Sequence, residues 1–194
     1  MTPTLPSAVV LDTCVLLSSV LRRLLLQLAG RNCFSVFWTP VIGDEWRRNA
    51  ARLWQSAPDD IALQWQAIQQ AFPAADLGDV SAFKEGLRRS DPKDFHVIAA
   101  GRAVVSRHPE DSVAIVTRNL KDFNRSELRG CGLGLLEPDQ FLVQCHARFP
   151  HLLQTALVDL QNTEVAPGRT MDPLDLILRR ERLFRFSKVL ACPR

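Results

Sequence analysis

Short runs of apolar residues alternate along this chain with longer stretches in which apolar residues recur every three to four positions. Two runs, residues 9–11 (VVL) and 112–117 (SVAIVT), are almost wholly apolar and lead into polar side chains, as buried strands of parallel sheets do. Residues 35–39 (SVFWT), closed by Pro40, and residues 133–136 are two further strand candidates. The pattern therefore predicts a sheet of buried strands.

The stretches between these strands carry the period of about 3.6 residues that is typical of helices. They predict helices over residues 15–29, 45–54, 60–72, 138–149, 152–160 and 174–189. Another helix is predicted to begin at Asp79 or Ser81 and to end near Arg89. Because strands alternate with helices, we expect an α/β protein with a three-layer α/β/α arrangement around a central parallel sheet.

The segment SDPKD at residues 90–94 has the composition of a helix start. Asp91 suits the N-cap, Pro92 suits the first helical position, and Asp94 lies in the first turn. The helix is expected to continue through residues 97–104.

The end of the chain differs in character, because its helical stretches flank a loop rich in proline and glycine. We predict a main domain over residues 1–149 and a helical C-terminal extension over residues 150–194.

Composition and charge narrow the class of protein. Hydrophobic residues make up 46% of the chain and charged residues 23%, which is the balance of a folded globular protein. The net charge is only +3, so affinity for phosphate must come from the local arrangement of basic residues.

No apolar stretch approaches the roughly 20 residues of a membrane span, and residues 1–7 lack the basic start of a signal peptide. We expect a cytoplasmic protein without a membrane partner. The five cysteines are too scattered to favour a zinc site.

Five oxygen-bearing side chains share one placement relative to the predicted elements. Each falls at the end of a predicted strand or in the first turn of the helix that follows one: Asp12, Glu45, Asp94, Asn119 and Asp122. In a parallel sheet such positions converge on one edge, where ligands bind. Because clustered carboxylates repel one another, we expect a divalent cation among them, and oxygen-only ligands favour Mg²⁺ or Mn²⁺ over Zn²⁺. Such a site activates water and neutralises a phosphodiester during in-line displacement.

These residues also have structural alternatives, which the sequence leaves open. The alternatives are helix capping for Asp12, Asp91 and Asp94, a helix-dipole interaction for Glu45, and turn roles for Asn119 and Asp122. Asp91 is a sixth candidate metal ligand, for which capping is at least as well supported. The case for a metal site depends on the joint placement of the set.

Four motifs, in this order, resemble those of the PIN domain and in particular of VapC-type toxins. They are VVLDTCVLL with Asp12, GDEWRRN with Glu45, DPKDFHVIAA with Asp94, and VTRNLKDF with Asn119 and Asp122. The resemblance covers about residues 8–145. A PDQFL segment that leads into the helical C-terminal extension, together with residues 21–29, is similar to one subgroup of that family.

The resemblance implies a PIN-like fold and a metal-dependent endoribonuclease that belongs to a type II toxin–antitoxin pair. The ligands that it implies for Mg²⁺ or Mn²⁺ are Asp12, Glu45, Asp94 and a fourth polar residue, either Asn119 or Asp122. Thr117 either orients a water at the metal or only ends its strand. The family cleaves RNA, commonly tRNA or rRNA, inhibits translation and is neutralised by a cognate antitoxin protein; a homodimer is also compatible with it.

Basic residues offer two kinds of candidate RNA contact. The cluster from Arg179 to Lys188 on the last predicted helix either contacts phosphates or is a solvated face whose phenylalanines pack on the main domain. Arginine pairs also lie near predicted helix ends, and those closest to the acidic site are the better candidates: Arg22–Arg23, Arg47–Arg48 and Arg88–Arg89. His96 is interpreted as structural or as a partner of the site residues.

Other functions also fit these residues. A PIN-fold binding module without catalysis is motivated by Asn119 in place of an acid. An orphan nuclease outside a toxin–antitoxin pair would carry the same motifs. A phosphatase or phospho-receiver protein also uses strand-end acids, but the chain lacks an acidic pair at the end of its first strand.

Overall fold

The structure is a computed structural model that describes residues 5–162, 164–166, 169–170 and 172–191. Four of the described strands form one parallel sheet: β1 (Ala8–Leu11), β2 (Ser35–Phe37), β3 (Val113–Val116) and β4 (Leu133–Leu136). Their order across the sheet is β2-β1-β3-β4. Helices flank the sheet, and the predicted α/β fold with a central parallel sheet in a three-layer arrangement is confirmed.

The described helices are α1 (Thr13–Leu16), α2 (Ser19–Gly30), α3 (Pro40–Trp54), α4 (Pro58–Ala71), α5 (Phe95–Arg107), α6 (Arg125–Gly130), α7 (Pro138–Arg148), α8 (Pro150–Gln161), α9 (Leu174–Arg180) and α10 (Phe184–Ala191). Short 3₁₀ turns cover Ser81–Lys84, Pro92–Asp94 and Leu120–Asp122. The strands β5 (Glu164–Ala166) and β6 (Arg169–Thr170) pair as an antiparallel hairpin, which the sequence patterns did not indicate.

The pairing of β1 with β3 fixes the edge of the sheet at which the candidate residues emerge. Leu11 lies opposite Val116, so the residues that follow them, Asp12 and Thr117, are neighbours. The Asp12 amide donates to the Val116 carbonyl at 3.2 Å, which extends the ladder by one residue. Both strands are buried along their whole length, which explains why they read as uninterrupted apolar runs.

Prolines begin several helices earlier than the apolar period indicated. α3 begins at Pro40, and the hydroxyl of Thr39 accepts a hydrogen bond from the Ile42 amide at 3.4 Å as its cap. The prediction that the helix opens at Glu45 is therefore wrong, and Glu45 lies in the second turn. α4 and α8 likewise begin with a proline at the first helical position, where the missing N–H has no cost.

Two predicted helices are each divided in the structure. The helix predicted over residues 15–29 breaks at Ser18, whose hydroxyl accepts from the Leu21 amide at 3.1 Å and so begins α2. The helix predicted over residues 174–189 breaks at Arg182, which has a φ of 58° in the left-handed region. In both places the apolar period continues, but a local feature of the chain, a capping side chain or a left-handed residue, ends or restarts the helix.

The prediction of a helix that ends near Arg89 is wrong. Only the 3₁₀ turn Ser81–Lys84 forms, because Gly86 has a φ of 82° and ends regular structure. The amides of Arg88, Arg89 and Ser90 then donate to the carboxylate of Glu127 at 2.7–3.0 Å instead of to helical carbonyls. A side chain nearly 40 residues away thus holds this segment, which leads directly into Asp91.

Three tryptophans form the contact between α3 and α4. Trp38, Trp46 and Trp65 are buried, and the ring centroids of Trp46 and Trp65 are 5.3 Å apart. A Cβ atom on Gly43 would lie 2.7 Å from the Trp65 ring, so only glycine allows this approach. These tryptophans are core residues.

The C-terminal segment packs on the rest of the protein. α8 contacts α2, and α10 contacts α7. The carboxylate of Asp139 on α7 accepts hydrogen bonds from the amides of Arg185 and Phe186 at 3.0 and 2.8 Å, and Phe186 is fully buried. Phe184 is 56% exposed, so only part of the expected phenylalanine packing occurs.

The domain boundary at residue 149 stays a prediction. Within the described residues, every helix is too short or too polar to cross a membrane.

Candidate metal centre

Asp12 lies at the carboxyl end of β1 and is only 4% exposed. Its Oδ2 accepts hydrogen bonds from the Thr117 hydroxyl at 2.6 Å and from the Cys14 thiol at 3.1 Å. Asp12 makes no side-chain cap on α1, so the capping alternative is wrong for this residue. No described residue donates to Oδ1, which leaves one oxygen of a buried carboxylate without a protein partner.

Glu45 is held on the opposite side of the same site by two side chains. Its Oε2 accepts from the Thr13 hydroxyl at 3.0 Å and lies 3.4 Å from Nε2 of His96. The nearby imidazole of His96 is the largest influence and lowers the pKa of Glu45; burial opposes this shift, and the Thr13 hydroxyl and the charge of Arg48 assist it. The helix-dipole alternative is wrong, because no acidic residue lies in the first turn of α3.

His96 connects Glu45 to the segment that carries Asp94. Its Nδ1 lies 2.8 Å from the Lys93 carbonyl, which can only accept, so Nδ1 carries a proton. Burial lowers the pKa of His96, but the neighbouring carboxylate of Glu45 outweighs burial and the pKa is raised. The interpretation of His96 as a partner of a site residue therefore agrees with its position.

Asp94 ends the 3₁₀ turn before α5 and makes no side-chain cap. Its pKa is raised to about 6, first by burial and then by the negative charges of Asp12, Asp122 and, more weakly, Asp91. His96 lowers it, but by less than the acids raise it. Negative charge is therefore concentrated at Asp94 without a matching cation from the described residues.

Asp91 caps the turn that follows it. Its Oδ1 accepts from the Lys93 amide at 3.0 Å, so the capping alternative is confirmed. Its own amide donates to the Asp122 carbonyl at 2.8 Å, which joins the two loops that carry acids. Asp91 does not line the cavity described below, and a ligand role for it stays a prediction.

Asn119 and Asp122 follow β3 but face different surroundings. The Asn119 backbone amide donates to the Thr117 hydroxyl at 3.0 Å, and Asn119 lines the cavity together with Asp12 and Asp94. Asp122 does not line that cavity, although its charge raises the pKa of Asp94. Of the two candidates for the fourth ligand, Asn119 is the one that shares a cavity with the other three.

An open cavity of about 610 Å³ joins these side chains. Its lining residues are Asp12, Thr13, Cys14, Leu17, Glu45, Arg48, Asn49, Arg52, Leu53, Asp94 and Asn119. The carboxylate and amide oxygens in this set are the donors that Mg²⁺ and Mn²⁺ prefer. A hard divalent cation fits the donor chemistry, because the concentration of negative charge at Asp94 calls for a positive partner.

The carboxylates of Asp12, Glu45 and Asp94 do not bring one oxygen each within 4.8 Å of one another. Among the described residues, the one group of three His, Cys, Asp or Glu ligand atoms within 4.8 Å of each other is His108, Glu110 and Asp111. That cluster lies at the start of β3, at the opposite edge of the sheet from Asp12.

Sequence reasoning missed four residues that shape this site. Thr13 and Cys14 touch the carboxylates, and both stand in the VVLDTCVLL motif directly after Asp12. Glu127 holds the segment before Asp91, and Glu181 bonds to both Ser18 and Arg118 at the rim. No local pattern marks either glutamate, because their partners lie 37 or more residues away in the chain.

Glu181 brings the C-terminal segment to the edge of the site. It accepts from the Ser18 hydroxyl at 2.8 Å and forms an ion pair with Arg118, which stands between Thr117 and Asn119. The Arg118 amide in turn donates to Cys14 Sγ at 3.3 Å.

No protein-family model, curated protein or solved structure matches this chain.

Proposed function

We propose that this protein is a metal-dependent endoribonuclease that uses Mg²⁺ or Mn²⁺. The observation that carries the proposal is the meeting of Asp12, Glu45, Asp94 and Asn119, which are distant in the chain, around one open cavity. The raised pKa of Asp94 supports it, because a structural cluster of acids is normally neutralised by basic partners.

The cation supplies activation of water and neutralisation of the phosphodiester charge during in-line displacement. The chain's own residues hold the oxygens that would bind it. Thr117 and Cys14 fix one oxygen of Asp12 and leave the other free of described partners. Thr13 and His96 fix the carboxylate of Glu45, and the Asp91 cap sets the turn on which Asp94 stands. No nucleophilic side chain is required.

Cleavage of a labelled structured RNA tests the proposal. We expect cleavage that requires Mg²⁺ or Mn²⁺ and disappears in Asp12→Asn and in Asp94→Asn. Asp111→Asn is the matched control, because it changes the acidic cluster at the opposite edge of the sheet and should leave cleavage intact. Undiminished cleavage in either site variant would contradict the proposal, and loss only in Asp111→Asn would move the metal site to that cluster.

The biological role that we propose is that of the toxin in a bacterial toxin–antitoxin pair, acting on tRNA or rRNA in the cytoplasm. The support is the resemblance of the four motifs to VapC-type toxins. Expression of the protein should arrest growth, and Asp94→Asn should not. A small protein encoded by the neighbouring gene should bind the chain and restore growth. Growth that is unaffected by the wild-type protein would favour an orphan nuclease.

A PIN-fold binding module without catalysis is the second candidate. It is favoured by one observation: the cavity is lined by the amide of Asn119, whereas the nearby acid, Asp122, does not line it. Calorimetric titration with Mn²⁺ separates the two candidates. A nuclease should bind the ion with an affinity that drops in Asp94→Asn, whereas an inert module should show little carboxylate-dependent binding.

A further inference from the structure

One face of α3 lines the site cavity, beginning with the proposed ligand Glu45. The residues that follow Glu45 along this face line the same cavity: Arg48, Asn49, Arg52 and Leu53. We call these four residues the α3 wall. The cavity thus has acids near the strand ends and at Glu45, and two arginines farther along α3.

Neither arginine of the α3 wall is paired with an acid of the described residues. Arg48 and Arg52 are exposed, and within that part of the chain neither forms an ion pair with an Asp or Glu. Arg47, one position away, is paired with Asp44, and Arg118, which does not line the cavity, is paired with Glu181. Arg48 lies near enough to Glu45 for its charge to lower the pKa of that carboxylate, but neither Arg48 nor Arg52 is held in an ion pair of the kind that Arg47 and Arg118 form.

The spacing of the α3 wall suits a chain of anions. Residues four apart on a helix are separated by about 6 Å along its axis, which is comparable to the distance between neighbouring phosphates on an extended nucleic-acid strand. Arg52 is steadied by a 3.1 Å hydrogen bond to Oδ1 of Asn49. The next residue, Leu53, is 59% exposed beside these charges, where an apolar side chain can contact a base.

The depth of the acids decides between an unpaired strand and a duplex. Asp12 lines the cavity and is only 4% exposed, so a phosphate that reaches it must leave the protein surface while its neighbours stay outside. A flexible single strand can bend in this way, whereas a stacked duplex presents its phosphates on a stiff convex surface.

We propose that the α3 wall binds two consecutive phosphates of an unpaired nucleic-acid strand through Arg48 and Arg52, with Leu53 against a base. This inference rests on the proposed function in that the strand is the substrate of the same site. It adds the side of the cavity on which the strand lies and the requirement for unpaired nucleotides.

Fluorescence polarisation with a 5′-fluorescein-labelled, unstructured RNA of about ten nucleotides, a length within the range of single-strand binding sites, tests the α3 wall. All proteins carry Asp94→Asn so that the strand is not consumed. The Arg48→Ala/Arg52→Ala double variant is compared with Arg47→Ala, a matched control that loses an arginine from the same helix outside the cavity. Each phosphate contact to a single strand contributes about 0.7 to the slope of log affinity against log salt, so the double variant should lose about 1.4.

Leu53→Ser should weaken binding without changing that slope, because an apolar contact releases no counterions. An unlabelled duplex RNA of the same length should compete poorly with the labelled strand. The inference is overturned by equal slopes in the double variant and Arg47→Ala, by a duplex that competes as well as the single strand, or by no binding at all. Circular dichroism melting checks that each variant is folded.

Cleavage assays with Asp94 intact separate failure of this inference from failure of the proposed function. If the wild-type protein cleaves RNA and the double variant keeps the same KM, the proposed RNA-binding role of the α3 wall is wrong and the proposed nuclease activity is supported. If the wild-type protein cleaves nothing but the double variant still loses strand binding, the RNA-binding role of the α3 wall is supported and the proposed nuclease activity is wrong.

Discussion

The hydroxyl of Thr117 donates a 2.6 Å hydrogen bond to Oδ2 of Asp12 across the pairing of β1 with β3. The same hydroxyl accepts the Asn119 amide at 3.0 Å. Thr117 is fully buried, so water cannot replace either contact. One side chain thus sets the positions of a candidate metal ligand and of the loop that carries another.

Replacing Thr117 with valine keeps its shape and removes these two hydrogen bonds and the 3.4 Å contact between its hydroxyl and Cys14 Sγ. Because the hydroxyl bonds to a carboxylate, we expect the free energy of unfolding to fall by about 1–3 kcal/mol. We also expect Mn²⁺ affinity to fall about 10- to 100-fold, the usual effect of removing a group that orients a metal ligand. Urea denaturation and calorimetric titration measure the two effects. Thr117→Ser keeps the hydroxyl and should retain most of both; a valine variant with unchanged Mn²⁺ affinity would show that Thr117 only ends its strand.

The pKa of Asp94 predicts how the metal-free protein responds to pH. An acid whose pKa is raised to about 6 binds its proton more tightly in the folded protein than in the unfolded chain. Its contribution to stability is therefore complete below its ordinary value of 3.8 and is lost as the pH rises to about 6. We expect wild-type protein in EDTA to lose stability across this window relative to Asp94→Asn.

Melting temperatures of the two proteins, measured in EDTA from about pH 4 to pH 7, check this expectation. The advantage of the asparagine variant should grow up to about pH 6 and then stay constant. Parallel curves would mean that the acids around Asp94 do not interact as the structure indicates. With the cation present, binding should weaken below about pH 6, because the ligand must be deprotonated.

Glu127 provides a test of how the segment before Asp91 is held. Although burial raises its pKa, hydrogen bonds from the amides of Arg88, Arg89 and Ser90 and from the Ser90 hydroxyl lower it to about 2. The stabilisation from the ionised form is complete above the ordinary value of 4.5 and is lost as the pH falls toward about 2. Glu127→Gln should therefore reduce the free energy of unfolding at pH 7 by about 1–2 kcal/mol.

The difference between Glu127→Gln and wild type should shrink as the pH is lowered below 4.5, since the wild-type carboxylate is then also being protonated. Urea denaturation at neutral and acidic pH measures it. Glu85→Gln, which changes an exposed acid, should match wild type at both pH values. A Glu127 defect that persists unchanged in acid would point to packing and not to charge.

Gly43 provides a test of the tryptophan contact beneath Glu45. A Cβ atom at this position would lie 2.7 Å from the Trp65 ring, so Gly43→Ala should cost about 1–3 kcal/mol of unfolding free energy. At Gly130, on α6, a Cβ atom would meet no described atom within 4 Å, and a change to alanine should be neutral or slightly stabilising. Thermal melting of both variants decides the point; equal melting temperatures would contradict close packing at Gly43.

Several features could be predicted from the sequence because they depend on neighbours in the chain. The apolar runs that become β1 and β3 give the parallel sheet, and the Asp91-Pro92 pair gives the capped 3₁₀ turn Pro92–Asp94 that precedes α5, each through local chemistry. The helix expected up to Arg89 failed for the opposite reason. Its amides bind Glu127, and no feature of residues 81–89 indicates that distant partner.

The sequence alone determined that oxygen-bearing side chains would gather where the strands end, because a parallel sheet places the carboxyl ends of its strands together. Only the tertiary structure decided their roles: Asn119 lines the cavity and Asp122 does not, and among the described residues Arg47 has an acidic partner where Arg48 has none. The physical reason is that an apolar period or a sequence motif determines where a residue lies along its helix or strand. The direction and the partner of its side chain depend on contacts between helices and strands that are remote in the chain.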